Sequence, residues 1–283
     1  MLSMIIPVYN EEETISQTID NILFHLKKLN ENWELIVVND GSDDRTAEVL
    51  VHYSKSIKVV SHPVNSGYGK SLKTGISHAV FDNIMIIDGD GTYPEEEIIP
   101  IYNEFKNGYD LLIGNRDIQT DTFIQKIIRF FYKVLLFLFV GEKVDDANSG
   151  LRVFRKSLMM DKLAFFCNGF SFTTSQTLIF ISEGYIWGNY PIQYRKRQTS
   201  SKTKLFKDSL RTFQYMMEII IRYNPLKLFL FLSVPLVFLF LISVIFLFIS
   251  QNNLIPLIAI ILFSAINLFY GLAFLTYSVA KKR

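Results

Sequence analysis

The triplet Asp88-Gly89-Asp90 is the strongest chemical signal in the sequence. In an extended segment, residues two apart point the same way, so both carboxylates can reach one cation. Hard divalent ions such as Mg²⁺ and Mn²⁺ prefer oxygen ligands, and Mg²⁺ usually sits between carboxylates and substrate phosphates. Asp88 and Asp90 are therefore the candidate ligands of a divalent metal cofactor. The same triplet also makes ordinary turns, so its weight depends on where the chain places it.

Apolar runs rich in Val and Ile recur at 3–8, 35–39, 58–61, 84–88 and 111–114, separated by helix-like stretches. This alternation predicts an α/β fold with a mostly parallel sheet and helices on both faces. In such sheets ligands bind beyond the carboxyl ends of the strands. Polar groups follow each run: Pro7-Val8-Tyr9-Asn10-Glu11, Asn39-Asp40-Gly41-Ser42, Asn65 to Lys70, Asp88-Gly89-Asp90, and Gly114-Asn115-Arg116. Single turns explain any one of these; five in register point to a site.

Net charge is only +2, so no global field suggests a nucleic-acid partner. The single cysteine, Cys167, has no partner for an internal disulfide and no metal or redox motif around it; a buried small hydrophobe is the expectation. The apolar start, Met1 to Pro7, has no basic stretch before it and runs into acidic residues. It reads as a core strand rather than a signal peptide, which predicts a cytoplasmic location for this part of the chain.

No charged residue lies between Lys227 and Lys281. Two apolar stretches in this interval, 228–250 and 254–279, flank the polar turn Gln251-Asn252-Asn253. Each is long enough for a membrane span, which takes roughly 20 helical residues. Basic residues lie before the first (Lys227) and after the second (Lys281, Lys282, Arg283), with none between. The positive-inside tendency then places both ends in the cytoplasm. Residues 122–140 carry Lys126, Arg129 and Lys133 at helical spacing on an apolar background, and 207–222 is amphipathic. Both are expected to lie at the headgroup level in contact with membrane lipids. The expected organisation is a cytoplasmic domain over 1–205, a juxtamembrane helix over 206–225 and an anchor over 226–283.

Seven segments, in order, carry a resemblance: PVYNE, VVNDGSDDRT, NSGYGKSLKTG, DGDGTYPEE, GNR, DDANSGLRVFRK and YRKRQTSSK. They resemble family 2 glycosyltransferases of the GT-A fold and, more narrowly, the dolichol- or polyprenyl-phosphate mannose and glucose synthases. The resemblance covers residues 3–205, and a two-helix C-terminal anchor also occurs in that group. It implies inverting transfer of one sugar from a nucleotide-sugar donor, GDP-mannose or a UDP-hexose, to a polyprenyl phosphate acceptor. Pro7, Tyr9, Glu11 and Asp40 would line the nucleobase and ribose site, and Asp88 and Asp90 would hold the metal on the donor diphosphate. Arg116, Arg129, Ser149 and Arg152 would meet the acceptor phosphate. Asp146, Ser149, Gly150 and Arg152 match a segment beside the transfer site. Arg197, Ser201 and Lys202 match a basic loop over the diphosphate. Asp90, Asp146 and Arg116 would be the catalytic groups, with Asp146 orienting partners rather than taking a proton.

Four positions depart from the family pattern. Asn39 replaces a common aspartate, Thr92 a glutamine that leaves the third metal ligand open, Ser175 a glutamate, and Thr199 a glycine. Other acceptors within cell-surface polysaccharide assembly, and a scaffold without activity, remain the alternative readings; self-association into a homo-oligomer is compatible with the sequence. A dinucleotide-dependent oxidoreductase needs a Gly-x-Gly-x-x-Gly turn after the first strand, and Pro-Val-Tyr-Asn-Glu is not one.

Overall fold

The computed structural model describes residues 1–117, 123–195, 205–249 and 254–280. It divides into two compact units, Met1–Met216 and Met217–Arg283.

The first unit is built on one seven-stranded sheet. Its strands are β1 (Leu2–Val8), β2 (Trp33–Asn39), β3 (Lys58–Ser61), β4 (Asn83–Ile86), β5 (Leu111–Arg116), β6 (Arg152–Arg155) and β7 (Trp187–Ile192), in the order β3-β2-β1-β4-β6-β5-β7. β1 pairs in parallel with β2 and β4, β2 with β3, and β5 with β7. Only β6 runs against its neighbours, β4 and β5. The sheet is thus mostly parallel, as the alternation predicts. β6 and β7 were not among the expected strands. RVFR is short and begins and ends with arginine, and WGNYPI holds Gly, Asn and Pro, all poor strand formers.

Every residue of β1 is buried, because helices cover both faces of the sheet. Leu2, Met4, Ile6 and Val8 join one core with Ile15, Ile19 and Ile22 of α1 (Ile15–Leu26) and Ile98, Ile101 and Phe105 of α4 (Ile98–Phe105). Leu50 of α2 (Thr46–Val51) belongs to the same core. Ile5 faces the other way, onto α3 (Tyr68–His78), whose Gly75 packs directly against it. Two further helices belong to this unit, α5 (Phe123–Val140) and α6 (Phe172–Ser182). The unit boundary falls inside α7 (Leu205–Tyr223).

The second unit contains α8 (Pro225–Ile249) and α9 (Leu254–Ala280), both long and apolar enough to cross a membrane. Phe229 packs on Phe269 and Phe240 on Phe263, so the two helices run antiparallel. Ser233 Oγ donates to Tyr270 Oη at 3.4 Å between them. Most of their side chains are exposed, Phe248 to 87%, unlike core helices of a folded domain. Pro235 lies inside α8, while Pro256 falls in the first turn of α9, where a missing N–H costs no helix bond.

A Cβ on Gly75 would lie 2.4 Å from Ile5 Cγ2. Gly75→Ala gains about 1 kcal/mol in helix propensity and loses roughly 1–3 kcal/mol to overpacking. The variant is expected to melt at lower temperature than wild type in detergent. A raised midpoint would show that α3 can move off the sheet.

Candidate active site

The strand order places β1 between β2 and β4, so the chain leaves β1 toward one side of the sheet and returns on the other. Such a switch point opens a crevice at the carboxyl ends of the strands. The β1–β4 ladder ends at Ile5 and Ile86, and Pro7 lies past that last pair, where a residue without N–H costs no bond to β4. Tyr9, Asn10 and Glu11 follow β1 at this rim. Asn10 adopts a left-handed backbone, φ 53°. Its N–H donates to Ser42 Oγ at 3.0 Å, and Ser42 donates in turn to Asn39 Oδ1 at 2.6 Å. Asn39 thereby caps a turn, a task its amide oxygen performs without the family's carboxylate. Glu11 is buried; its N–H donates to Thr46 Oγ1 at 2.9 Å. Thr14 Oγ1 lies 3.3 Å from both Glu11 Oε2 and the Gly89 carbonyl, joining this loop to the acidic triplet.

Asp40 is also buried. Its Oδ1 accepts from Ser66 N at 3.0 Å and its Oδ2 from Gly67 N at 2.8 Å. His62 Nδ1 lies 2.7 Å from Oδ1, and His62 Nε2 lies 2.9 Å from Thr74 Oγ1. Asp40 therefore braces the loop between β3 and α3. The glycines of that loop serve close packing. A Cβ on Gly69 would lie 2.1 Å from the Cys167 carbonyl, and Lys70 N donates to the Asn168 carbonyl at 2.9 Å. Cys167 is buried, as expected.

Asp88 and Asp90 lie just beyond β4, with Gly89 packed toward Ile6, Val8 and Ile15. Asp88 Oδ1 accepts a 2.8 Å bond from Tyr68 Oη. Asp90 Oδ1 accepts from Thr92 N at 3.2 Å and Thr92 Oγ1 at 2.6 Å. Gly150 lies flat against the Asp88 carboxylate; a Cβ there would sit 2.3 Å from Oδ2. Tyr93 Oη accepts from Gly150 N at 2.6 Å and fastens this contact. Burial, and then the Asp88 charge, raise the Tyr68 pKa well above its ordinary value, so its hydroxyl stays a donor. Among the described residues no group of three acidic, histidine or cysteine side chains gathers as a metal cage. Two hard carboxylates, completed by substrate phosphates and water, suit Mg²⁺ or Mn²⁺ better than an all-protein site would.

Arg116, at the end of β5, pairs with Asp146 in a two-pronged ion pair: Nε to Oδ2 at 2.6 Å and Nη2 to Oδ1 at 2.9 Å. The side chains are 17% and 9% exposed, so the pair is largely desolvated. Burial alone would raise the Asp146 pKa; the Arg116 guanidinium outweighs it and holds the carboxyl below its ordinary value. Burial would lower Arg116, but Tyr93 and Asp146 hold its pKa above the ordinary one. An ionised carboxylate so clamped is a poor general base and a good orienting group.

Arg152 differs from its expected role. It is completely buried and donates to the carbonyls of Ala147, Ser149 and Thr173 and to Gln176 Oε1 and Thr177 Oγ1. Burial lowers its pKa to about 10, which leaves it charged at neutral pH. With its donors spent on carbonyls, it organises the turn before β6 and does not face an acceptor phosphate. Ser149 is likewise fully buried, with Oγ 3.4 Å from the Leu151 carbonyl. Ser175 bonds within α6, Oγ to the Ser171 carbonyl at 2.8 Å.

Arg129 lies half-buried on α5. This helix meets the site through Tyr132, whose Oη is 3.2 Å from Asn148 Oδ1 and 2.9 Å from Thr174 Oγ1. Ile127, Phe130, Phe131 and Phe137 of α5 are exposed. Arg197, Thr199, Ser201 and Lys202 lie outside the described residues, as do Gln251 to Asn253 and Lys281 to Arg283. Tyr68, Tyr93 and Tyr132 did not emerge from sequence reasoning. Their only signal was an aromatic residue within or beside a polar motif, which is also what a core position looks like.

A mostly parallel sheet with an acidic pair at its switch point has the layout of an α/β fold that binds its ligand beyond the strand ends. Residues 3–162 match Glycosyl transferase family 2, and the chain belongs to that family. A dolichyl-phosphate beta-glucosyltransferase of Trichomonas vaginalis is 29% identical over 174 residues, 55% of this chain and 53% of its own. An undecaprenyl-phosphate 4-deoxy-4-formamido-L-arabinose transferase of Pectobacterium atrosepticum is 30% identical over 162 residues, 56% of this chain and 50% of its own. The chain spans about half the length of the curated relatives it matches. Among solved structures, glucosyl-3-phosphoglycerate synthase of Mycobacterium tuberculosis, crystallised with Mn²⁺, UDP and phosphoglyceric acid, superposes with a TM-score of 0.64. It is 20% identical, and the match covers 78% of each chain, a likeness of fold.

Gly150→Ala is expected to displace the Asp88 carboxylate and cut sugar-transfer turnover roughly 100-fold, with the melting temperature little changed. Wild-type turnover in this variant would show that the contact has slack. Asp146→Asn should destabilise by roughly 3 kcal/mol, since it leaves a buried guanidinium without its charge partner. A depressed carboxyl pKa adds stability that is present above the unfolded value and lost below it. The gap between wild type and Asp146→Asn in denaturant titrations should hold from neutral pH to near 3.8 and close below that. A gap that closed between pH 7 and 5 would contradict the assignment.

Proposed function

We propose that this chain transfers a single sugar, with inversion, from a nucleotide-sugar to a polyprenyl phosphate at the cytoplasmic face of a membrane. The carrying observation is the contact between Asp88 and Gly150. It joins the acidic pair to the segment that holds Asp146, so donor-side and acceptor-side groups adjoin. Two relatives whose names specify dolichyl phosphate and undecaprenyl phosphate support a lipid phosphate as acceptor. The apolar pair α8 and α9 supports it independently: a lipid substrate keeps its tail in the bilayer, and an anchored enzyme meets it in two dimensions. Lys227 at the start of α8, with the basic C-terminus, supports a cytoplasmic orientation for both ends.

In this reading Asp88 and Asp90 would hold a divalent cation, Mg²⁺ or Mn²⁺, which when bound would supply positive charge to a diphosphate leaving group. Tyr9 and the Glu11 loop form the donor wall at the end of β1, with Asp40 fixing the loop opposite. An oxygen of the acceptor phosphate attacks the anomeric carbon. The bond from that carbon to the diphosphate oxygen breaks, and the nucleoside diphosphate leaves with the electron pair. The acceptor is already ionised at neutral pH, so no strong base is required. Arg116 presents a fixed positive charge to the attacking phosphate, and Asp146 holds it in place; positioning of this kind is a large part of such barriers. Arg129 on α5, whose Ile127, Phe130 and Phe131 are exposed, would meet the phosphate of a headgroup if that helix lies at a membrane surface. Arg197 and Lys202 would add charge over the diphosphate.

The test is incubation of membranes bearing the protein with radiolabelled nucleotide-sugars and a polyprenyl phosphate. One donor should label a lipid, and both chelation and Asp90→Ala should reduce the label by at least ~100-fold. Undiminished labelling by Asp90→Ala would remove the metal role, and label on a soluble saccharide alone would remove the lipid acceptor.

A further inference from the structure

The two carboxylates at the rim each rest on a hydroxyl that neither the family match nor the relatives point to. Tyr68 Oη donates to Asp88 Oδ1 at 2.8 Å, and Thr92 Oγ1 donates to Asp90 Oδ1 at 2.6 Å. A carboxylate turns easily about its terminal torsion, and a donor on one oxygen fixes the plane in which both oxygens lie. The supports are themselves fixed. The Tyr68 ring stacks on Phe170 at 5.7 Å with 15° between planes. Its helix is bound to the 167–169 segment through Lys70 N and the Asn168 carbonyl, at 2.9 Å. Thr92 is fully buried, directs its N–H to the same Asp90 oxygen, and accepts at its carbonyl from Arg195 N at 2.9 Å. Arg195 is held in turn by Glu95 at 2.7 Å and Glu96 at 2.5 Å.

We propose that Tyr68 and Thr92 are positioning residues that set the orientation of Asp88 and Asp90 for a divalent cation, with Thr92 acting through Asp90 rather than as a third ligand. The inference rests on the metal reading of that pair. Partners that orient metal-binding carboxylates typically change affinity 10- to 100-fold when removed. Thr92 thus takes a different role from the glutamine expected at its position: its side chain is too short to be both a brace and a ligand, and its hydroxyl is committed to the brace.

The experiment is manganese titration of the purified full chain in detergent, read by the electron paramagnetic resonance of free Mn²⁺, with UDP and separately with GDP present. Tyr68→Phe keeps the stacked ring and removes one oxygen; Thr92→Val keeps the shape and the N–H. Each is expected to weaken Mn²⁺ binding 10- to 100-fold with an unchanged melting temperature, and Thr92→Ser is expected to restore it. Asp90→Ala serves as the control for the site itself. Wild-type affinity in both Tyr68→Phe and Thr92→Val, with binding lost in Asp90→Ala, overturns this inference and leaves the metal reading standing. Wild-type protein that binds no Mn²⁺ with either nucleotide overturns both. Should Thr92→Val melt early, Tyr68→Phe alone decides the matter.

Discussion

The site depends on one tight approach, the backbone of Gly150 against the carboxylate of Asp88. A side chain at 150 would begin 2.3 Å from Asp88 Oδ2, so only glycine permits it. The approach exists because β6 is antiparallel. Its first residue, Arg152, pairs with Ile86 at the end of β4 and with Ile113 on β5. A strand running that way enters the sheet at the rim where its neighbours leave it. Residues 146–150 are therefore delivered to the carboxyl ends of β4 and β5, beside the acidic pair. A parallel sixth strand would have carried them to the opposite edge.

The buried cation of Arg152 holds that delivery in place. Five acceptors surround its guanidinium, among them the buried carbonyls of Ala147 and Ser149 in the turn before β6. An unpaired buried carbonyl costs free energy of the same order as a lost hydrogen bond. The polar composition of α6 follows from the same arrangement: Thr173, Gln176 and Thr177 face Arg152, and Thr174 faces Tyr132 and Asn148. An arginine that looks like an anion contact in the motif is thus the support of the turn carrying Asp146. Asp146, carried on that turn, clamps Arg116 at the end of β5.

The sequence by itself determined whatever is local. Alternating apolar runs and helical stretches placed five of the strands. Uninterrupted apolar length identified α8 and α9, and an acidic pair after a strand marked the rim. These readings need only nearest-neighbour periodicity and a hydrophobic length. Tertiary structure decided the rest: the insertion of β6 between β4 and β5, the clamp of Arg116 on Asp146, the burial of Asp40 and Arg152, and the hydroxyls on Asp88 and Asp90. The reason is physical. A side chain's type fixes which bonds it can make, but whether its donors meet a ligand or a buried carbonyl depends on groups dozens of residues away, brought together only when the sheet closes.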